Sequence, residues 1–221
     1  MNKLKTLFIA GCMTAFASAA NATLMLELSD GTTTKTLTDE VIGEAAFGTP
    51  GVVGYVGSVG TWTFSFTAGS SLTSTDFLKT LDISSLSTSS SAGGTLTIRL
   101  TETGYTNSPA PFQVSVGGTT QGSASFETWM GTGAFDQAEL LYDSGDLTGN
   151  KVNEFSDSEG GNIDTANPYS LTLVAAITHT GLQQTSFDFE TRIPEPASIA
   201  LLGLGLVGLG AVSRRRKSKI K

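Results

Sequence analysis

The chain has 221 residues, of which 39% are hydrophobic and 15% charged, enough for one domain of about 170 residues with a real core plus short terminal segments. Its formal net charge is −7, yet all 20 acidic residues lie between Glu27 and Glu195, where only Lys35, Lys79, Arg99, Lys151 and Arg192 are basic, so the stretch from Thr23 to Pro196 carries −15. That balance excludes nucleic acid and anionic membrane surfaces as partners, because each phosphate contact needs a cation this stretch lacks.

At the N-terminus, Lys3 and Lys5 precede an apolar stretch from Leu7 to Ala17, and Ala20-Asn21-Ala22 supplies a small-x-small pattern before Thr23. Residues 1–22 therefore read as a secretory signal peptide, which brings the Sec translocon and signal peptidase as partners. Ile9-Ala10-Gly11-Cys12 has the look of a lipidation box, but Lys5 stands too close to Cys12 to leave an adequate apolar region. Cys12 is the single cysteine, so the exported portion has neither a disulfide nor a thiol for chemistry.

Residues 23–192 are rich in Gly, Ser and Thr, with apolar residues alternating in short runs. Period-2 alternation predicts strands at Thr23–Leu28, Thr61–Thr67, Phe77–Ile83, Thr95–Leu100, Phe112–Val116, Ser123–Trp129, Tyr169–Thr178 and Thr185–Phe189. Within the second, Trp62, Phe64 and Phe66 share one face. Eight to ten such strands separated by Gly-rich turns predict an all-β, antiparallel, jelly-roll-like β-sandwich. The hydroxyl-rich stretch from Ser84 to Gly94 reads as a solvated loop, with an O-glycan acceptor as the alternative.

Four groups of residues bear on function. Alternation along Ser123–Trp129 sets Phe126 inward and Glu127 and Trp129 outward together, an aromatic and a carboxylate suited to carbohydrate contact unless a bulge returns the indole to the core. Tyr105 and Tyr142 also lie in turn-rich surroundings. Asp143, Asp146, Asp157, Glu159 and Asp164, interspersed with Gly and Asn, offer hard oxygen ligands for calcium, although the spacing is not that of an EF-hand and a solvated acidic loop is the simpler reading. His179, the single histidine, ends an alternating strand and reads as a side chain at the rim of the core. No G-x-S-x-G elbow is present, and one histidine cannot build a zinc site, so the chain reads as no enzyme, with a glycoside hydrolase only a third alternative.

The last segment, residues 193–221, is the most distinctive. Pro194-Glu195-Pro196 is held extended by its prolines. Ala197–Ser213 follows as an apolar, Gly-rich run of 17 residues. As a helix it spans roughly 25 Å at about 1.5 Å per residue, a marginal crossing of a core of about 30 Å. Arg214, Arg215, Arg216 and Lys217 open a basic tail over residues 214–221 that stops transfer and stays in the cytoplasm. The domain before Pro194 then faces outward, close to the membrane because no long linker intervenes.

This order of motif, span and basic cluster resembles the PEP-CTERM sorting signal of Gram-negative bacterial envelope proteins. The resemblance implies recognition by an exosortase, a membrane enzyme with a cysteine nucleophile that cuts near the motif, and an association with exopolysaccharide and biofilm matrix. The expected protein is anchored in the inner membrane with its domain in the periplasm, then processed to the cell surface or medium, in a structural or adhesive role. A polysaccharide-binding module is the alternative.

Overall fold

The computed structural model describes residues 22–73, 78–148 and 153–194. Among the described residues every regular element is a strand: β1 (Leu24–Ser29), β2 (Thr34–Thr38), β3 (Val52–Val59), β4 (Trp62–Thr73), β5 (Leu78–Ser90), β6 (Gly94–Tyr105) and β7 (Ala110–Thr120). They continue with β8 (Ser123–Gly131), β9 (Glu139–Asp143), β10 (Leu147–Thr148), β11 (Glu154–Ile163), β12 (Tyr169–His179) and β13 (Gln183–Pro194). One sheet runs β10-β8-β12-β6-β1-β2 with β9 also paired to β8, and the other runs β11-β7-β13-β5-β4-β3. All of these strand pairings are antiparallel.

The two sheets bury the apolar half of each alternating strand against one another, as a sandwich requires. Leu24, Leu26 and Leu28 of β1, Leu96, Ile98 and Leu100 of β6, and Val114 and Val116 of β7 all lie in the core. Phe126 on β8 is its aromatic centre, with ring centroids 5.1 Å from Phe187, 5.3 Å from Phe189 and 5.5 Å from Phe155 on the facing sheet. Beside it, the hydroxyls of Thr128 and Thr191 bond across the sandwich at 3.0 Å. At Gly69 the sheets approach so closely that a Cβ would overlap the Leu100 side chain.

Three expectations change. The stretch from Ser84 is not a loop: β5 continues to Ser90, and Thr88 and Ser90 are buried. Past Phe64 the alternation of β4 breaks, so Thr67 enters the core. The acidic stretch 136–164 is largely sheet, forming β9, β10 and the edge strand β11.

The topology gives the sandwich two distinct ends. Residues 39–51, 106–109, 132–138 and 164–168 connect strands at the end where β13 finishes at Pro194. Turns 30–33, 91–93, 121–122 and 180–182 lie at the other.

Candidate functional site

Strand β8 alternates as its sequence predicts: Ala124, Phe126, Thr128 and Met130 are buried, whereas Glu127 and Trp129 are half-buried on the outward side. The indole does not return to the core. Trp129 Nε1–H donates to Glu127 Oε2 at 2.6 Å, which fixes the ring beside the carboxylate. Along the same outer face Trp129 stands opposite Thr172, and Thr172 opposite Thr101. The next row runs Glu127, Val174, Arg99, Glu27. Arg99 Nε donates to Glu27 Oε1 at 2.9 Å, and its guanidinium lies 5.3 Å from the centre of the Phe135 ring. The β8–β9 connection thus folds back over this face: Phe135 N–H donates to Thr101 Oγ1 at 3.3 Å, and Thr172 Oγ1 donates to the Asp136 carbonyl at 3.4 Å. An oriented indole with a carboxylate at its edge is the chemistry by which proteins stack on and hydrogen-bond to a sugar ring, whereas the Thr101 and Thr172 hydroxyls are buried beneath the β8–β9 connection.

The five carboxylates expected near calcium are spread along the molecule. Asp143 Oδ1 accepts the Gly145 amide at 2.8 Å, a turn contact, and Asp157 Oδ2 accepts the Tyr142 hydroxyl at 2.8 Å. Asp157 and Glu159 share one side of β11, opposite Val116 and Val114. Asp146 precedes β10 at one end of the sandwich and Asp164 follows β11 at the other. A ten-residue strand such as β11 covers about 30 Å, so one ion cannot take all five. Among the described residues no three His, Cys, Asp or Glu side chains gather in a way that could hold a metal.

His179 is buried, 2% exposed, with its ring 4.6 Å from that of Trp62 on the facing sheet. Ser90 Oγ donates to the Gly181 carbonyl at 2.7 Å, so the 2.8 Å bond between Ser90 and His179 has Nδ1–H as donor. Nε2 then accepts from Thr185 Oγ1 at 2.8 Å, and Thr185 in turn bonds Thr120 at 2.7 Å. Burial lowers the histidine pKa below 6.5, which keeps the ring neutral in this role. The histidine is a polar clasp between sheets, with both nitrogens occupied. Tyr105 and Tyr142 are buried as well, so neither offers a face to a ligand.

The structure also assembles a carboxylate group that sequence spacing hides. On the outer face of the six-stranded sheet Asp82 stands opposite Glu190, with Asp188 two residues along β13. Burial, and then the neighbouring charge and hydrogen bond of Asp188, raise the Asp82 pKa to about 7. One oxygen of Asp82 is buried without a hydrogen-bond partner. Glu190 instead accepts from Ser115 Oγ at 2.8 Å and pairs with Arg192 at 2.6 Å. Only the register of β13 against β5 reveals this group.

Of the sorting motif, Pro194 is described and ends β13 opposite Leu78 of β5. It lines a shallow groove of ≈ 600 Å³ with Pro111, Gln113, Gly160 and Arg192. Glu195, Pro196, the apolar run 197–213, the basic residues Arg214, Arg215, Arg216 and Lys217, and all but the last residue of the expected signal peptide over residues 1–22 lie outside the described residues. Among the described residues no helix is long and apolar enough to cross a membrane.

The fold and the tail together define an all-β, antiparallel sandwich whose last strand runs directly into a C-terminal sorting signal. Residues 192–217 match the family model of the PEP-CTERM protein-sorting motif, so the chain carries a PEP-CTERM sorting signal. Comparison with curated proteins gives no match. Among solved structures it is similar to the cleaved adhesin domain of Lys-gingipain from Porphyromonas gingivalis W83, at 8% identity and a TM-score of 0.33, over 69% of this chain and 88% of that one. A likeness of that size bears on neither fold nor function.

Proposed function

We propose that the chain is an exported envelope or extracellular-matrix protein, structural or adhesive, held at the inner membrane by its tail with the domain in the periplasm until an exosortase cuts that tail. The observation that carries this reading is the PEP-CTERM motif over residues 192–217, continuous with β13. The alternation between the sheets from β5 to β8 and again from β10 to β13, with β8, β9 and β10 together in one sheet, supports the jelly-roll-like wrapping expected of such a module. No catalytic role is assigned, and turnover of the producing organism's exopolysaccharide by the protein would overturn that assignment. Intact mass of the protein from membrane and culture fractions tests both ends at once. Loss of residues 1–22 together with a new C-terminus near Pro194–Ala197 is the expected result. A full-length tail on the protein from an exosortase-bearing strain would sink the proposal.

A second reading, polysaccharide binding on the outer face of the seven-stranded sheet, is favoured by the Trp129–Glu127 bond. Binding to a glycan array that is lost in Trp129→Ala, with an unchanged melting curve, is the outcome this reading expects. An array without any retained glycan would leave the structural role alone.

A further inference from the structure

We infer that the β2–β3 connection, residues 39–51, rests on the bilayer surface while the chain is tethered, with Val41, Ile42 and Phe47 inserted among lipid headgroups. The inference depends on the reading of Ala197–Ser213 as a membrane anchor.

Its basis is a loop whose polarity is inverted. Surface loops ordinarily turn polar groups to water. Here Glu44 is 7% exposed, and its Oε2 accepts the amides of Ala46 at 2.9 Å and Gly54 at 3.0 Å. Asp39 Oδ2 likewise accepts the Gly51 amide at 2.8 Å. Backbone bonds from Val41 N to Thr38 O, from Ala45 N to Gly54 O and from Thr49 N to Ala46 O close the turns between them. With two carboxylates turned inward, the loop presents Ile42 at 88%, Phe47 at 56% and Val41 at 53% exposure. Grouped apolar exposure of this kind marks a contact surface.

Position names the occupant. The loop enters β3 at Val52, and Gly51 O accepts the amide of Ser71 near the end of β4. β4 pairs with β5, and β5 with β13, in a register that puts Thr73, Lys79 and Ile193 side by side. The loop therefore shares its end of the sandwich with Pro194. From Pro194 to the first residue of the apolar run, Ala197, is three residues, a reach of about 10 Å at most. An anchored chain holds this end against the membrane, and apolar side chains penetrate roughly 5–10 Å into the headgroup region. Tethering makes the contact intramolecular, so a weak affinity suffices. Glu40 is exposed and the domain carries few cations, so the contact is apolar and prefers zwitterionic lipid.

The test uses residues 23–221, the cysteine-free portion expected after loss of the signal peptide, with a single new cysteine carrying an environment-sensitive dye, Ile42→Cys or, at the opposite end, Leu182→Cys, which replaces a residue 82% exposed. Each protein is reconstituted in phosphatidylcholine vesicles at fewer than one chain per vesicle, and flotation is measured on the same sample. We expect the chain to float, with quenching by aqueous iodide several-fold weaker at position 42 than at 182. Phe47→Ser with Val41→Ser should restore quenching at 42, and added anionic lipid should not strengthen the protection. A floating chain quenched equally at both positions refutes the loop contact and leaves the anchor standing. A chain that fails to float removes both. Protection that arises only when several chains share a vesicle identifies a second copy as the occupant and also overturns the inference.

Discussion

His179 and Asp82 pull the pH dependence of stability in opposite directions. The folded histidine has a pKa below its ordinary 6.5 because of burial, so as pH falls below about 6.5 the unfolded chain binds more protons and stability is lost. Asp82, raised from 3.8 to about 7, binds its proton more tightly when folded. Its contribution is complete below about pH 4 and is lost as pH rises through 7. Between pH 4 and 6.5 the two slopes oppose each other. His179→Phe should therefore expose a stability that falls with rising pH, at a cost of about 1–3 kcal/mol for the partner left without its hydrogen bond. Asp82→Asn should leave a stability that rises with pH up to 6.5, and should raise the melting temperature at pH 8, where the parent repels Asp188 and Glu190. Urea titrations at pH 5, 6.5 and 8 check both, and parallel profiles for parent and variants would refute the assignment.

At the scale of elements, the close approach of strands decides which small residues are obligatory. A Cβ at Gly118 on β7 would meet the backbone of Ser186 and Phe187 on β13, which no rotamer change relieves. Gly118→Val should destabilise by about 1–3 kcal/mol or more, seen as a lower melting temperature at about 2–4 °C per kcal/mol. By contrast Gly145→Ala, with open space around it but φ at 59°, should cost only the strain of a left-handed alanine, about 1 kcal/mol. Strands with apolar alternation that bury one face, such as β1, β6 and β8, were legible in the sequence, and so was β12 from its apolar run, although it is buried on both faces from Tyr169 to Ala175. β11 was not, since as an edge strand it reads EFSDSEGGNI and has no apolar face to betray it. The second half of β5 was missed because its inward residues Thr88 and Ser90 are hydroxyls satisfied within the core. Trp129 beside Glu127 followed from alternation alone. Asp82 with Asp188, a hundred residues apart, required the register.

For the whole molecule, the sorting tail is part of the fold's own frame. Pro194 pairs with Leu78, so the described strand reaches into the motif. Glu195→Ala, or Pro194→Ala with Pro196→Ala, should leave a longer, membrane-bound form by intact mass, with the melting transition of the outer domain nearly unchanged for Glu195→Ala. A soluble, normally trimmed product from these variants would show that cleavage ignores the motif.

The place of β13 in its sheet has a mechanical meaning. It lies between β5 and β7, paired with the first from Gln183 to Pro194 and with the second from Thr185 to Arg192, so its C-terminal tip at Pro194 belongs to a central strand. A pull on Pro194 along the strand would load both ladders in shear, many hydrogen bonds at once, instead of peeling them one by one as a pull on the edge strands β3 or β11 would. If the tail holds the chain as proposed, drag on the domain would be resisted along the stiffest direction of the sandwich. Under force, failure should begin in the tail or at the opposite attachment before the domain opens.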